Sequence, residues 1–301
     1  MPAFITHYLA AEAAASQLAA LDFELNRDMY YWGAQGPDLF FYHRPLKASK
    51  SLRALGLLLH NTQPVKMFAS LQEYSEICDI AELEAVMSYC FGLLSHLALD
   101  ANAHPFVYYF QGALAQKTGK KENFMHHKIE NNLDILMLKR EKNQTISDFK
   151  IGRALPWDNA GIKAAAGAVS YMASDVSKDT PCSMDEAFSA FVDIRKYAAF
   201  LLKWRNPKRK IARFFEKKRK KGEDLGGFFR ADTSDNDFDY LNSAHKKWCC
   251  DAQGDPRNSD FYEIFDKSVT DSVNLAQRFS DCVQHRKPIY FLDDFKFYGG
   301  H

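Results

Sequence analysis

The sequence lacks every feature that would take it out of the class of ordinary globular proteins. No apolar run approaches the roughly 18 residues that a membrane-crossing helix needs, and MPAFITHYLAAEAAA has no basic stretch ahead of an apolar one, as a secretory signal would. A cytoplasmic location is therefore expected, unless an export signal has been trimmed away. The six cysteines (Cys78, Cys90, Cys182, Cys249, Cys250, Cys282) show no C-x-x-C spacing, which argues against a thiolate zinc site or a disulfide framework and leaves free thiols. There is no Gly-x-Gly-x-x-Gly, P-loop or Gly-x-Ser-x-Gly elbow, so the common nucleotide-cofactor and serine-hydrolase readings fall away. The acidic run DTSDNDFD (232–239) lacks the Gly and the closing Glu of a calcium loop and reads as a solvated segment.

Strand-like alternation is also nearly missing. What remains is helical: apolar residues recur every three or four positions in 8–22, 50–61, 65–78, 81–100, 123–139, 160–173, 184–204 and 259–284. Stop signals fall between these segments at GAQGPD (33–38), NTQPV (61–65), HP (104–105), KTGKK (117–121) and LPWDNAG (155–161). With no internal repeat or linker and 47 % hydrophobic residues over 301 positions, the expectation is one all-α domain spanning 1–301.

Histidine is unevenly placed. Seven of ten (His7, His43, His60, His96, His104, His126, His127) lie in the first 130 residues. Within HLALDANAHPF, His96, Asp100 and His104 recur at intervals of four in an otherwise apolar stretch, and a buried carboxylate with no partner is costly. HHKIENNLD sets His126 one helical turn before Glu130, so both can face one ion. Two helices would then each offer an imidazole and a carboxylate to a common interior, which favours a metal over two isolated surface pairs. His43, His127, His245, His285 and His301 have no partner at ligand spacing and read as structural or exposed.

These pieces, in this order, resemble the ligand core of the zinc-dependent phospholipase C family, to which the fungal-type zinc nucleases are related. The family pattern is a Gly-x-x-x-His-x-x-x-Asp helix, a later His, then His-x-x-x-Glu-Asn-x-x-Asp, and it is matched by Gly92, His96, Asp100, His104, His126, Glu130 and Asp134. Upstream, a Gly-Pro-Asp turn is matched by Gly36-Pro37-Asp38, the next ligand by His60 and a near-N-terminal His by His7. The resemblance covers about residues 1–140 and implies an all-α fold holding two or three zinc ions. Asp38, His60, His96 and Asp100 would hold one; His104, His126 and Glu130 a second; and Asp100 would bridge the first to a third ion on His7.

In secreted members an N-terminal Trp completes the third site, whereas here the amine of Met1 or, after its removal, of Pro2 would serve. The resemblance further implies that metal-bound water attacks phosphorus, with Asp38 orienting or deprotonating that water and Asp134 fixing a ligand's orientation. The expected activity is zinc-dependent phosphodiester hydrolysis of the phospholipase C type (EC 3.1.4) on a phospholipid or similar ester. A zinc nuclease or nucleotidase and a non-catalytic metal-binding remnant are the competing readings.

Substrate choice is less legible. Choline-lipid members carry an aromatic residue directly after the turn Asp; here Leu39 stands there, followed by Phe40, Phe41 and Tyr42, while Tyr30, Tyr31, Trp32 and Phe106 to Phe110 can supply walls. The segment 203–221 carries eleven Lys/Arg against one Glu, leaving about −9 on the rest of the chain. That charge would attract an anionic membrane surface or, equally, nucleic acid.

Overall fold

The computed structural model describes residues 4–21, 23–44, 52–202, 232–249, 256–293 and 295–296. Met1, Pro2, the basic segment 203–221, Cys250 and His301 lie outside them. The ten helices named here are α1 (Phe4–Ala15), α2 (Arg27–Gly33), α3 (Arg53–Asn61), α4 (Pro64–Ile77), α5 (Ile80–Thr118), α6 (Glu122–Lys142), α7 (Ile151–Ala154), α8 (Asn159–Val176), α9 (Met184–Leu202) and α10 (Phe261–Gln284). Short 3₁₀ turns occupy Leu18–Ala20, Gly36–Tyr42 and Tyr290–Leu292. No sheet occurs among the described residues, where a single antiparallel bridge joins Trp248 to Arg257. The fold is all-α, as the periodicity predicts.

Helix α5 is the spine, and α1, α2, α4, α6, α8 and α10 all pack on it. Over 85–100 every residue is buried, so its sequence is apolar all round rather than striped. The expected stop at His104–Pro105 does not occur: α5 runs through Pro105 to Thr118 and ends at Gly119 in the left-handed conformation. An interior proline costs on the order of 3 kcal/mol. Burial of Phe106, Val107, Phe110 and Leu114 beyond it offsets that cost at roughly 1.5–3 kcal/mol for each large apolar side chain.

Helices α2 and α5 approach closely where glycine faces glycine. A Cβ on Gly33 would lie 2.0 Å from Tyr89 O, and one on Gly92 would lie 2.0 Å from Tyr30 O. The α2 backbone therefore rests directly on the turn of α5 that precedes His96. Caps fix other ends: Asp158 accepts from Ala160 and Gly161 at the start of α8, and Asp260 forms a reciprocal capping box with Glu263 at the start of α10. Cys78, Cys90, Cys182 and Cys282 are free thiols, as the spacing implies.

Candidate metal centre

Three polar side chains one turn apart line one face of α5: His96, Asp100 and His104, all buried. The uninterrupted helix keeps His104 in register with Asp100, so no chain reversal at Pro105 is needed to bring it to the site. Four other segments converge on that face. Helix α6 brings His126 and Glu130, the 3₁₀ turn Gly36–Tyr42 brings Asp38, α3 brings His60 in its last turn, and α1 brings His7.

Asp100 sits at the centre. Its Oδ2 is 3.1 Å from His96 Nε2 and 3.9 Å from His60 Nε2, while its Oδ1 is 3.3 Å from His7 Nε2 and 3.9 Å from His104 Nε2. His60 Nε2 lies 3.1 Å from Asp38 Oδ1, and His126 Nε2 lies 3.0 Å from Glu130 Oε1. The donor atoms fall into three groups whose members lie within 4.8 Å of one another: Asp38/His60/His96, His7/His96/Asp100 and His104/His126/Glu130. That span is close to two zinc–ligand bonds of about 2.0–2.2 Å each. All eight positions singled out in the sequence thus converge, and Asp100 turns one oxygen to each side of the cluster.

A ligating imidazole needs its other nitrogen engaged, which fixes the tautomer and the ring plane. His60 Nδ1 donates to Gly56 O at 2.7 Å, His96 Nδ1 to Ala34 O at 3.1 Å and His126 Nδ1 to Gln111 Oε1 at 2.7 Å. Each of these leaves Nε2 directed at the cluster. Gly36 makes the seat for His96: its φ of +51° suits glycine, and a Cβ there would meet the His96 ring at 2.5 Å. Asp134, fully buried, accepts from the main-chain N and the hydroxyl of Thr6, both at 2.8 Å. It thereby satisfies an orphan amide in the first turn of α1 and holds the residue next to His7.

Charge explains why a cation suits this interior. Burial alone would push the Asp100 carboxyl up, but the imidazoles of His104, His96 and His7 override it and hold it well below the ordinary carboxylate range. Glu130 behaves alike: burial raises it, and His126 with His127 brings it well below. At His7 and His60 burial pulls the pKa down, yet the carboxylates of Asp100 and Asp38 dominate and raise both. His104, whose burial outweighs its carboxylate neighbours, is lowered. Three buried carboxylates therefore draw positive charge inward. The Asp38 side chain, 2 % exposed, has no hydrogen-bond donor among the described residues besides the His60 contact, and the Nδ1 atoms of His7 and His104 are buried with no hydrogen-bond partner among them. Nitrogen and carboxylate donors in tight groups, with oriented tautomers, fit zinc.

The cluster opens toward α5 and α6: the side chains of His104 and His126 are 11 % and 17 % exposed, against 6 % or less for the other six. Tyr108 lies there, its ring stacked on His104 (centroids 5.3 Å, 18°) and 5.6 Å from that of His126. Burial, then the charges of Asp100 and Glu130, push its phenol up. On the other side the half-buried Phe41 stacks on His60 at 5.3 Å, whereas Leu39 is buried in the core. The aromatic ring next to the cluster thus comes three residues after Asp38 rather than one.

Sequence reasoning offered Tyr108 only as one of a run of wall residues, and it missed Gln111, which requires a helix beyond Pro105, and Thr6, whose bond to Asp134 joins residues 128 positions apart. Two other expectations change. His127 does have a partner, with Nδ1 3.7 Å from Glu130 Oε2, and so do the exposed His245, 3.8 Å from Glu263 Oε2, and His285, 3.0 Å from Asp281 Oδ1. The run 232–239 is also docked rather than merely solvated: Asp237 pairs with Lys128 and accepts from Tyr240, Asp235 N donates to Asn132 at 2.7 Å, and Asp232 accepts from Ser147. His43 is structural as expected, fully buried, with Nδ1 accepting from Leu52 N at 3.0 Å.

Comparison with known proteins adds one finding. A family model described as zinc dependent phospholipase C matches residues 6–202. The match takes in all eight clustered residues and continues to the end of α9. No curated protein and no solved structure matches the chain significantly.

Proposed function

Because the chain belongs to the zinc-dependent phospholipase C family, we propose that it is a zinc-dependent phosphodiesterase cleaving a phospholipid or similar phosphate ester at phosphorus. The observation that carries this reading is the two-sided placement of Asp100, with one oxygen beside His96 and His60 and the other beside His7 and His104. A carboxylate has two oxygens to share between neighbouring cations, which a single imidazole nitrogen cannot do. Zinc, once bound, would lower the pKa of a water to near 7 and neutralise the phosphoryl oxygens.

The chain's own residues do the rest. Asp38, His60, His96 and Asp100 would hold one ion, His104, His126 and Glu130 a second, and Asp100 with His7 a third. Asp38, beside His60, would orient the attacking water or take its proton. Gly56, Ala34 and Gln111 keep the imidazoles in the ligating tautomer, and Asp134 anchors α1 so that His7 stays in reach.

The reading is tested by zinc content together with turnover of phosphatidylcholine against single-stranded DNA and 3′-nucleotides. Hydrolysis of the lipid by protein carrying at least two zinc ions supports it. Hydrolysis of the nucleic acid alone moves the chain to the related nucleases, and less than one zinc per chain leaves a non-catalytic remnant. Docking of the basic segment 203–221 on anionic membranes belongs to the same proposal; no helix among the described residues is long and apolar enough to cross one.

A further inference from the structure

Resting on that reading of the cluster as a phosphoester site, the geometry points to Tyr108 as a substrate-contacting residue whose hydroxyl donates a hydrogen bond to a phosphoryl oxygen held at the His104–His126–Glu130 group. Two observations carry it. The cluster is exposed to solvent only at His104 and His126 beyond a few per cent, so a phosphate reaches it from that side. Tyr108 stands at that opening, one turn after His104 on α5, half-buried, with its ring nearly parallel to His104 and close to His126.

The chemistry of the neighbours defines what such a group is for. The imidazole Nδ1 donors of His60, His96 and His126 are spent on Gly56, Ala34 and Gln111, so these rings have no proton left for a substrate oxygen. A phosphodiester brings two non-bridging oxygens with more lone pairs than the cations can take. A neutral hydroxyl at the mouth supplies a donor without adding charge. Hydrogen bonds to charged acceptors are worth about tenfold to a hundredfold in an equilibrium constant.

The test uses full-length, zinc-loaded protein and the variant Tyr108→Phe, which keeps the stacked ring and removes the hydroxyl, with Tyr109→Phe on the exposed next position as control. Zinc stoichiometry, Kd for inorganic phosphate, and kcat and KM for the hydrolysed ester are read for each. The expected result is unchanged zinc in Tyr108→Phe, phosphate binding weakened by about tenfold, kcat/KM lowered by about tenfold to a hundredfold, and no change in Tyr109→Phe. Phosphate binding and turnover equal to the unsubstituted protein would overturn the proposal. Loss of zinc from Tyr108→Phe would overturn it too, by making Tyr108 a support of the ligands. If the unsubstituted protein hydrolyses no ester, the hydrolase reading fails by itself, and the phosphate measurement still decides the role of Tyr108.

Discussion

Asp100 is the residue on which the centre turns, because both its oxygens are committed and four imidazoles face it. Asp100→Asn keeps the shape and removes one charge and one ligating oxygen. It is expected to reduce bound zinc by at least one ion and turnover by about 100-fold or more, since even outer partners of metal ligands are worth 10- to 100-fold. Zinc analysis and initial rates check this, and full activity in the variant would place the chemistry elsewhere. The histidines set a pH dependence of definite sign. His7 and His60 have raised pKa values, so the stability they lend the metal-free protein is present below about 6.5 and is lost as pH rises through their higher folded values. Zinc needs the neutral rings and must expel those protons, so its affinity rises with pH across that window. Chelator competition between pH 6 and 8 should show this rise; a flat or falling profile would contradict it. His96, Asp100, His104, His126 and Glu130 stood out in the sequence because buried charge on apolar helices demands compensation, whereas His7, Asp38 and His60 were reached only through the family resemblance. Gly36 was read only as part of a turn motif. Its second role, leaving room for the His96 ring, depends on a contact across 60 positions that no local pattern reveals.

At the scale of elements, the helix periods were readable and the breaks were less so. Pro105 punctuates the sequence as a stop, but a proline ends a helix only when nothing downstream repays the lost bond, and here four large apolar side chains do. Helix α2 was likewise hidden, being seven residues long, too short for periodicity to register. The docking of α1 gives a prediction at this scale. Asp134→Ala would leave the Thr6 amide and hydroxyl buried without their acceptor, at a cost of about 1–3 kcal/mol. Chemical denaturation should show that loss, and His7's ion should be released before the other two groups lose theirs. Unchanged stability with full zinc would mean that α1 is held by packing alone.

For the whole molecule, five separate segments meet at one cluster of carboxylates and imidazoles, so cations bound there would together join α1, the Gly36–Tyr42 turn, α3, α5 and α6. Ligands that bind only the folded state stabilise it by mass action, about 2.7 kcal/mol for each independent site at a hundredfold excess over Kd. In a chain of this size that is a rise in Tm of roughly 5 °C for one site. Chelation followed by zinc restoration should lower and then recover Tm by at least that amount, and an unchanged Tm would show that the segments are held without metal. The measurement that bears most directly on the account is a zinc count on the purified protein combined with anomalous scattering from its crystals. Two or more zinc peaks are predicted, one among Asp38, His60, His96 and Asp100 and another among His104, His126 and Glu130. Fewer than one zinc per chain, or peaks away from Asp100 and its neighbours, would contradict it.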